Sequence, residues 1–130
     1  MAIRDIRSDI LVKQALNHRF TADGAQQSAI IDTANFDMGI MFSFAVPDYT
    51  DGSYAVTIDE GDDSGLSDAA AVPANKLIGS LPTLTAVTAD NATLSTFGVH
   101  SNKRYLRVTV TASSVTTGAE VHCNAGLLGS

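Results

Sequence analysis

The densest group of side chains able to do chemistry is the acidic run Asp59-Glu60-Gly61-Asp62-Asp63-Ser64-Gly65. Carboxylates interleaved with glycine turns are what calcium asks for, since the ion takes about six to eight oxygen ligands. The spacing departs from an EF-hand loop and the closing glutamate is missing, so a solvated hairpin tip is the plainer reading. Paired carboxylates for glycoside hydrolysis need a cleft and one acid of raised pKa, and a wet loop offers neither. His122 and Cys123 are adjacent, so on a strand they face opposite sides and cannot form a Cys–His nucleophile pair with each other. Cys123 shares a face with Val121 and Ala125 and reads as a small core residue. His18, His100 and His122 show no ligand spacing, and a single cysteine gives neither a disulfide framework nor a multi-cysteine zinc site. A chain this rich in Ser and Asp leaves a Ser–His–Asp arrangement open, but there is no GxSxG elbow, phosphate loop, HExxH or dinucleotide pattern. The expectation is a protein that is not an enzyme and holds no cofactor or metal.

The elements that would position these side chains read as strands. Tyr54, Val56 and Ile58 share one face by period-2 spacing, as do Leu106, Val108 and Val110. Ile40, Phe42, Phe44 and Val46 share a third face, and Val121, Cys123 and Ala125 a fourth. Leu106, Val108 and Val110 point inward on this pattern, with Arg107, Thr109 and Thr111 outward. Weaker strands are expected over residues 16–21, 27–31, 84–88 and 93–99. Turn signals separate them at Ala22-Asp23-Gly24, Pro47 to Gly52, Asp62 to Gly65 and Thr116-Thr117-Gly118. Residues 3–15 are open to either a short helix or an extended arm, and Pro73 breaks the Ala-rich stretch at 69–77. Most aromatic side chains read as core, while Tyr49 sits in a Pro/Asp/Gly loop and is open to exposure. The predicted fold is all-β: a single-domain β-sandwich, jelly-roll-like, of about eight short antiparallel strands. The predicted division is an N-terminal arm over residues 1–13 and the sandwich over 14–130.

The 130 residues fit one domain of that kind. A hydrophobic content of 45% and a mean hydropathy of +0.11 suit a packed core and argue against disorder. No apolar run reaches membrane-spanning length. Arg4, Asp5 and Arg7 are followed by no apolar signal region, so synthesis in a reducing cytoplasm is expected. The net charge of −6 is unevenly spread: residues 21–75 hold ten acids and no Lys or Arg, and residues 1–20 and 76–130 are each weakly basic. The acid-only stretch argues against nucleic-acid binding. The basic arm and Lys103, Arg104 and Arg107 instead fit an acidic protein partner, or are simply solvated.

The segment Ser101-Asn102-Lys103-Arg104-Tyr105-Leu106-Arg107-Val108-Thr109-Val110-Thr111, with Thr116-Thr117-Gly118-Ala119 after it, resembles small virion proteins of tailed bacteriophages, the capsid cement or decoration proteins. Those sequences carry a KRYLRV strand, a TTGA turn, an acidic turn after a central strand and then an LIG segment. Glu60 to Gly65 and Leu77-Ile78-Gly79 are the counterparts here, in the same order over about residues 50–125. Gly61 and the longer Ala-rich stretch depart from the pattern, and the N-terminal half matches only in outline.

The resemblance implies a β-sandwich bound to the outside of the capsid, bridging capsomers as a dimer or trimer. The implied partners are the major capsid protein and further copies of the chain, with no nucleic acid and no membrane, and the implied location is the capsid surface after synthesis in the host cytoplasm. The residues expected to touch the shell or a neighbouring subunit are Arg4, Arg7, Ile10 and Leu11 of the arm, together with Lys103, Arg104 and Arg107. The alternatives are a tail or head–tail connector component, or a carbohydrate- or surface-binding module. The last usually needs exposed aromatics, and the chain has no Trp and three Tyr.

Overall fold

The computed structural model describes residues 10–34, 39–46, 49–81, 83–84, 95–100 and 103–128. In chain order the strands are β1 (Ile10–Phe20), β2 (Gly24–Gln27), β3 (Ile31–Asp32), β4 (Gly39–Ala45), β5 (Ser53–Gly61), β6 (Ala70–Ala71), β7 (Leu77–Ile78), β8 (Thr83–Leu84), β9 (Ser95–Val99), β10 (Tyr105–Ser113) and β11 (Ala119–Leu128). A 3₁₀ turn, Ala74–Lys76, follows Pro73, whose ring cannot donate to a ladder.

The first sheet has the order β1-β11-β4-β9-β7 and the second β2-β10-β5-β6, with β3 on β10 and β8 on β5. All pairings are antiparallel. Reading β2 and β3 as one interrupted strand, β6 and β8 as one alongside β5, and β7 as an added edge gives the orders 1-8-3-6 and 2-7-4-5. That is the jelly-roll form of a β-sandwich.

The core lies between the sheets and follows the period-2 pattern. Phe42, Phe44, Val121, Cys123, Ala125 and Leu127 fill it from the first sheet, and Tyr54, Val56, Ile58, Leu106, Val108 and Val110 from the second. Phe97 stacks on Phe42 and Phe44, with ring centroids 5.3 and 5.9 Å away. Leu127 is fully buried in its own chain.

Three expectations are refined. Residues 10–13, read as part of the arm, form the start of β1 against Ala125 to Leu128, and no helix forms over residues 10–15. Ile10 and Val12 are β-branched, and β11 supplies the ladder they pair with. The strand expected over residues 27–31 is interrupted at Ser28. Its N–H donates to the Val108 carbonyl at 2.8 Å and its Oγ accepts from the Val108 N–H at 3.0 Å, so a side chain stands in for the ladder. Just beyond, the Ala29 N–H donates to the Ala15 carbonyl, which ties the second sheet to the bulge between Gln14 and Leu16 on β1. Tyr49 is half-buried: its hydroxyl donates to the Gly52 carbonyl at 2.7 Å and its ring meets Tyr54 edge-on. The strands expected over residues 84–88 and 93–99 fall partly outside the described residues.

Three chain crossings between the sheets meet at one end. The Asp51 carboxylate accepts from the backbone N–H groups of Thr116, Thr117 and Gly118 at 2.9–3.2 Å. Asp23 accepts from the Val115 N–H at 2.8 Å, which adds the β1–β2 corner. Gly118 takes a φ of +104°, and a Cβ there would collide with the Phe20 carbonyl.

Two predictions follow from this packing. Gly118→Ala should cost at least about 3 kcal/mol, since it adds a backbone clash to a disfavoured φ; urea unfolding measures it, and a loss under about 1 kcal/mol would contradict the clasp geometry. Burial pushes the Cys123 thiol up to about 12, so a thiol reagent at neutral pH should label the native protein only through opening events. Stoichiometric labelling within seconds, without denaturant, would contradict that.

Candidate docking surfaces

The side chains able to do chemistry are mostly committed to holding the fold. Asp68 accepts from the backbone N–H groups of Asp62 and Asp63 at 3.0 and 3.2 Å, and Asp63 accepts from those of Gly65 and Ser67 at 2.9 and 3.2 Å. These donors hold both carboxyls below their ordinary value, Ser67 N–H foremost for Asp63 and Asp62 N–H for Asp68. Gly61 has no room for a side chain, because the Asp68 carboxylate and Leu66 sit where its Cβ would be. Glu60 is not part of a solvated tip: it is 6% exposed and 3.5 Å from the Lys76 ammonium. Among the described residues no three His, Cys, Asp or Glu side chains converge as a metal site. No helix among them is long and apolar enough to cross a membrane.

Lys103 and Arg104 stand at the same rim. The Arg104 guanidinium grips Asp32 through two hydrogen bonds of 2.9 Å and lies over the Tyr105 ring. Lys103 reaches Asp62 at 3.3 Å. Both are exposed, and both already meet acids of the 21–75 stretch, which accounts for part of its charge.

Arg107 differs. Its backbone lies opposite Asp59 in the β10–β5 register, yet no ion pair forms between them. Its Nε is sealed from solvent and has no hydrogen-bond partner. The side chain borders an open concavity of about 610 Å³ with Gln27, Ser28, Ala29 and Thr109, on the outer face of the second sheet where β2 breaks. Arg107 is half-buried, and an arginine whose Nε is unpartnered beside an open concavity is suited to receive a carboxylate.

The outer face of the first sheet is apolar and uncharged at its centre. Gly126 pairs with Met41, Met41 with Gly98 and Gly98 with Ile78, so these four form one row across β11, β4, β9 and β7. Met41 is 54% and Ile78 68% exposed, the two exposed large hydrophobics among the described residues. They flank an open trough of about 540 Å³. The adjoining row, Asn124, Ser43 and Thr96, is polar without charge. Further along β11, His122 Nε2 lies 3.4 Å from Glu120 on this same face, opposite the side that buries Cys123.

Of the residues expected to make contacts, Arg4 and Arg7 lie outside the described residues. Ile10 and Leu11 are placed by their backbones in β1, an edge strand. The structure puts Lys103 and Arg104 at the rim and Arg107 on the outer face of the second sheet. The trough was not among the sequence expectations. Its signal is a break in alternation: Met41 is apolar where the outward phase of β4 calls for a polar residue.

The Arg104 guanidinium, with the Ala34 N–H as a second donor, lowers Asp32 to about 2 from an ordinary 3.8. A folded value below the unfolded one means the group's contribution to stability is complete above the ordinary value and is lost as pH falls toward 2. Both partners are exposed, so the effect is small. Asp32→Asn should flatten the acid limb of the stability curve in that window, read by thermal unfolding across pH; an unchanged slope would remove Asp32 from the account.

No protein-family model matches the chain, and no curated protein matches it. Among solved structures it is similar to the crystal structure of SPBc2 prophage-derived protein YomS, at 10% identity over 91% of this chain and 93% of that one, with a TM-score of 0.40. A likeness so distant leaves the function to be argued from this chain's own surfaces.

Proposed function

We propose that this chain is a structural protein of a phage virion, a capsid cement or decoration protein that binds the outside of the shell and bridges capsomers, and that it is not an enzyme. The observation that carries the reading is that both outer faces of the sandwich offer a means of attachment. One presents a partnerless guanidinium, Arg107, and the other an uncharged apolar trough. A bridging protein needs contacts on more than one side, and a sandwich supplies two opposed faces on one rigid core. The jelly roll recurs in viral capsid, lectin and cupin domains. Fold does not choose among these, whereas the Lys103 to Val108 strand and the Thr116 to Ala119 turn resemble the virion proteins.

On this reading the second sheet faces the major capsid protein, with Arg107 receiving a shell carboxylate. Arg4, Arg7, Ile10 and Leu11 extend the contact along the arm and the β1 edge. Lys103 and Arg104 contribute less, because a new partner has to share them with Asp62 and Asp32. Each contact is modest, and many copies binding the mature shell stabilise it by mass action.

Quantitative mass spectrometry of purified virions tests the role. One copy per shell subunit, or a simple fraction of one, is expected. A handful of copies would move the protein to the tail or connector, and absence from particles would end the virion reading. Arg107→Gln, which sets no like charge opposite Asp59, should weaken binding to shells at least about ten-fold while leaving the unfolding midpoint nearly unchanged; undiminished binding would take Arg107 out of the interface.

A further inference from the structure

The row Gly126, Met41, Gly98, Ile78 alternates pit and knob across four neighbouring strands. A two-fold axis lying in this face, along the strands and midway between β4 and β9, reverses the row. The reversed order is Ile78, Gly98, Met41, Gly126, so every knob then meets a pit. We propose that a second copy of this chain docks on this face about such an axis. Ile78 then seats over Gly126 of the partner subunit, and Met41 lies against Gly98 of the partner subunit. The contact is isologous, the commonest closed symmetry for soluble oligomers.

Gly126 supports the proposal independently of the apolar exposure. It lies near the end of a ten-residue strand, where glycine weakens pairing and leaves nothing to pack. Its φ is outside the left-handed range, and among the described residues an added Cβ would meet nothing nearer than the Met41 carbonyl oxygen at 3.8 Å. The chain's own fold therefore does not require glycine there, whereas a close approach from outside does. Gly98 is different: a Cβ there would come within 3.2 Å of the Ile78 Cβ, so the fold itself accounts for it.

Charge favours a second copy as the occupant, and area sets how tightly it is held. In a chain of net charge −6, two copies meeting at this row and its Asn124, Ser43 and Thr96 neighbours bring no like charges face to face. Four strands span about 19 Å and the seven residues of β4 about 23 Å. Because β7 and β9 are shorter than β4, the footprint is at most about 440 Å² per copy, or roughly 900 Å² for the pair, below the ~1,200 Å² where standard stable interfaces begin. The dimer is accordingly weak in dilute solution and favoured where copies are held close together. This proposal gives the trough, one of the two attachments invoked above, to a second copy, and it is tested on the free protein so that it stands or falls separately from the virion role.

Sedimentation velocity of the full-length chain, from micromolar to millimolar concentration, tests it. The wild type should pass from monomer to dimer. Gly126→Val should fill the pit, keep or raise the unfolding midpoint, and weaken dimerisation at least about ten-fold. Ile78→Ser changes an exposed side chain, should weaken the dimer likewise, and decides the matter if the valine variant fails to fold. Three outcomes would overturn the proposal: a monomer throughout, as when another segment such as residues 85–94 or a foreign partner covers the face; an assembly larger than a dimer; or a dimer indifferent to Ile78→Ser.

Discussion

The grip of Asp51 on three backbone N–H groups is the contact on which the rest of the sandwich depends. A jelly roll passes its chain repeatedly from one sheet to the other, and each crossing is free to shift register unless something fixes it. Here the β4–β5 and β10–β11 crossings are bound together by one carboxylate, and Asp23 adds the β1–β2 corner through Val115. Gly118 lets the turn press against the Phe20 carbonyl, and β11 then begins with Ala119 opposite Phe20. A slip of one residue would exchange the faces of β11. His122, Asn124 and Gly126 would turn inward, and Val121, Cys123 and Ala125 outward. The trough exists because the clasp sets that register.

The same economy explains half of the ten acids in residues 21–75. Asp51, Asp63 and Asp68 all accept from backbone N–H groups of turns, which is what short-chained carboxylates do where no ladder is present. Asp32 and Asp62 meet Arg104 and Lys103 across the rim. A run of acids that looks like a binding site in one dimension is, once folded, largely a set of turn fasteners and ion pairs.

Alternation carried the core in the sequence, because burial on one face of a strand forces a period of two. Tyr54, Val56, Ile58, Leu106, Val108, Val110, Val121 and Cys123 are all inward as that period requires. Two-residue strands such as β6, β7 and β8 leave too little pattern to read, since their pairing is set by where longer strands lie. The break at Ser28 was equally hidden: a side chain replacing a ladder group has no signature distinct from an ordinary polar residue. The contact surfaces were legible only in part. Arg107 was visible as an outward residue of a strong strand. The trough was not, because Met41, Ile78, Gly98 and Gly126 are scattered over about two-thirds of the chain and become neighbours only through sheet order.

That scatter bears on what kind of site a sandwich face can be. Catalysis usually draws on loops, which can converge polar groups on one atom; a sheet face instead offers a flat lattice with fixed spacing between strands. Its chemistry is the relief of that lattice, in which residue size at each register point decides what can lie against it. Gly126 matters for this reason: among the described residues an added Cβ would fit, and it would strengthen the strand. A position where the fold alone would favour a side chain, and where none is found, points outward to what the face must meet.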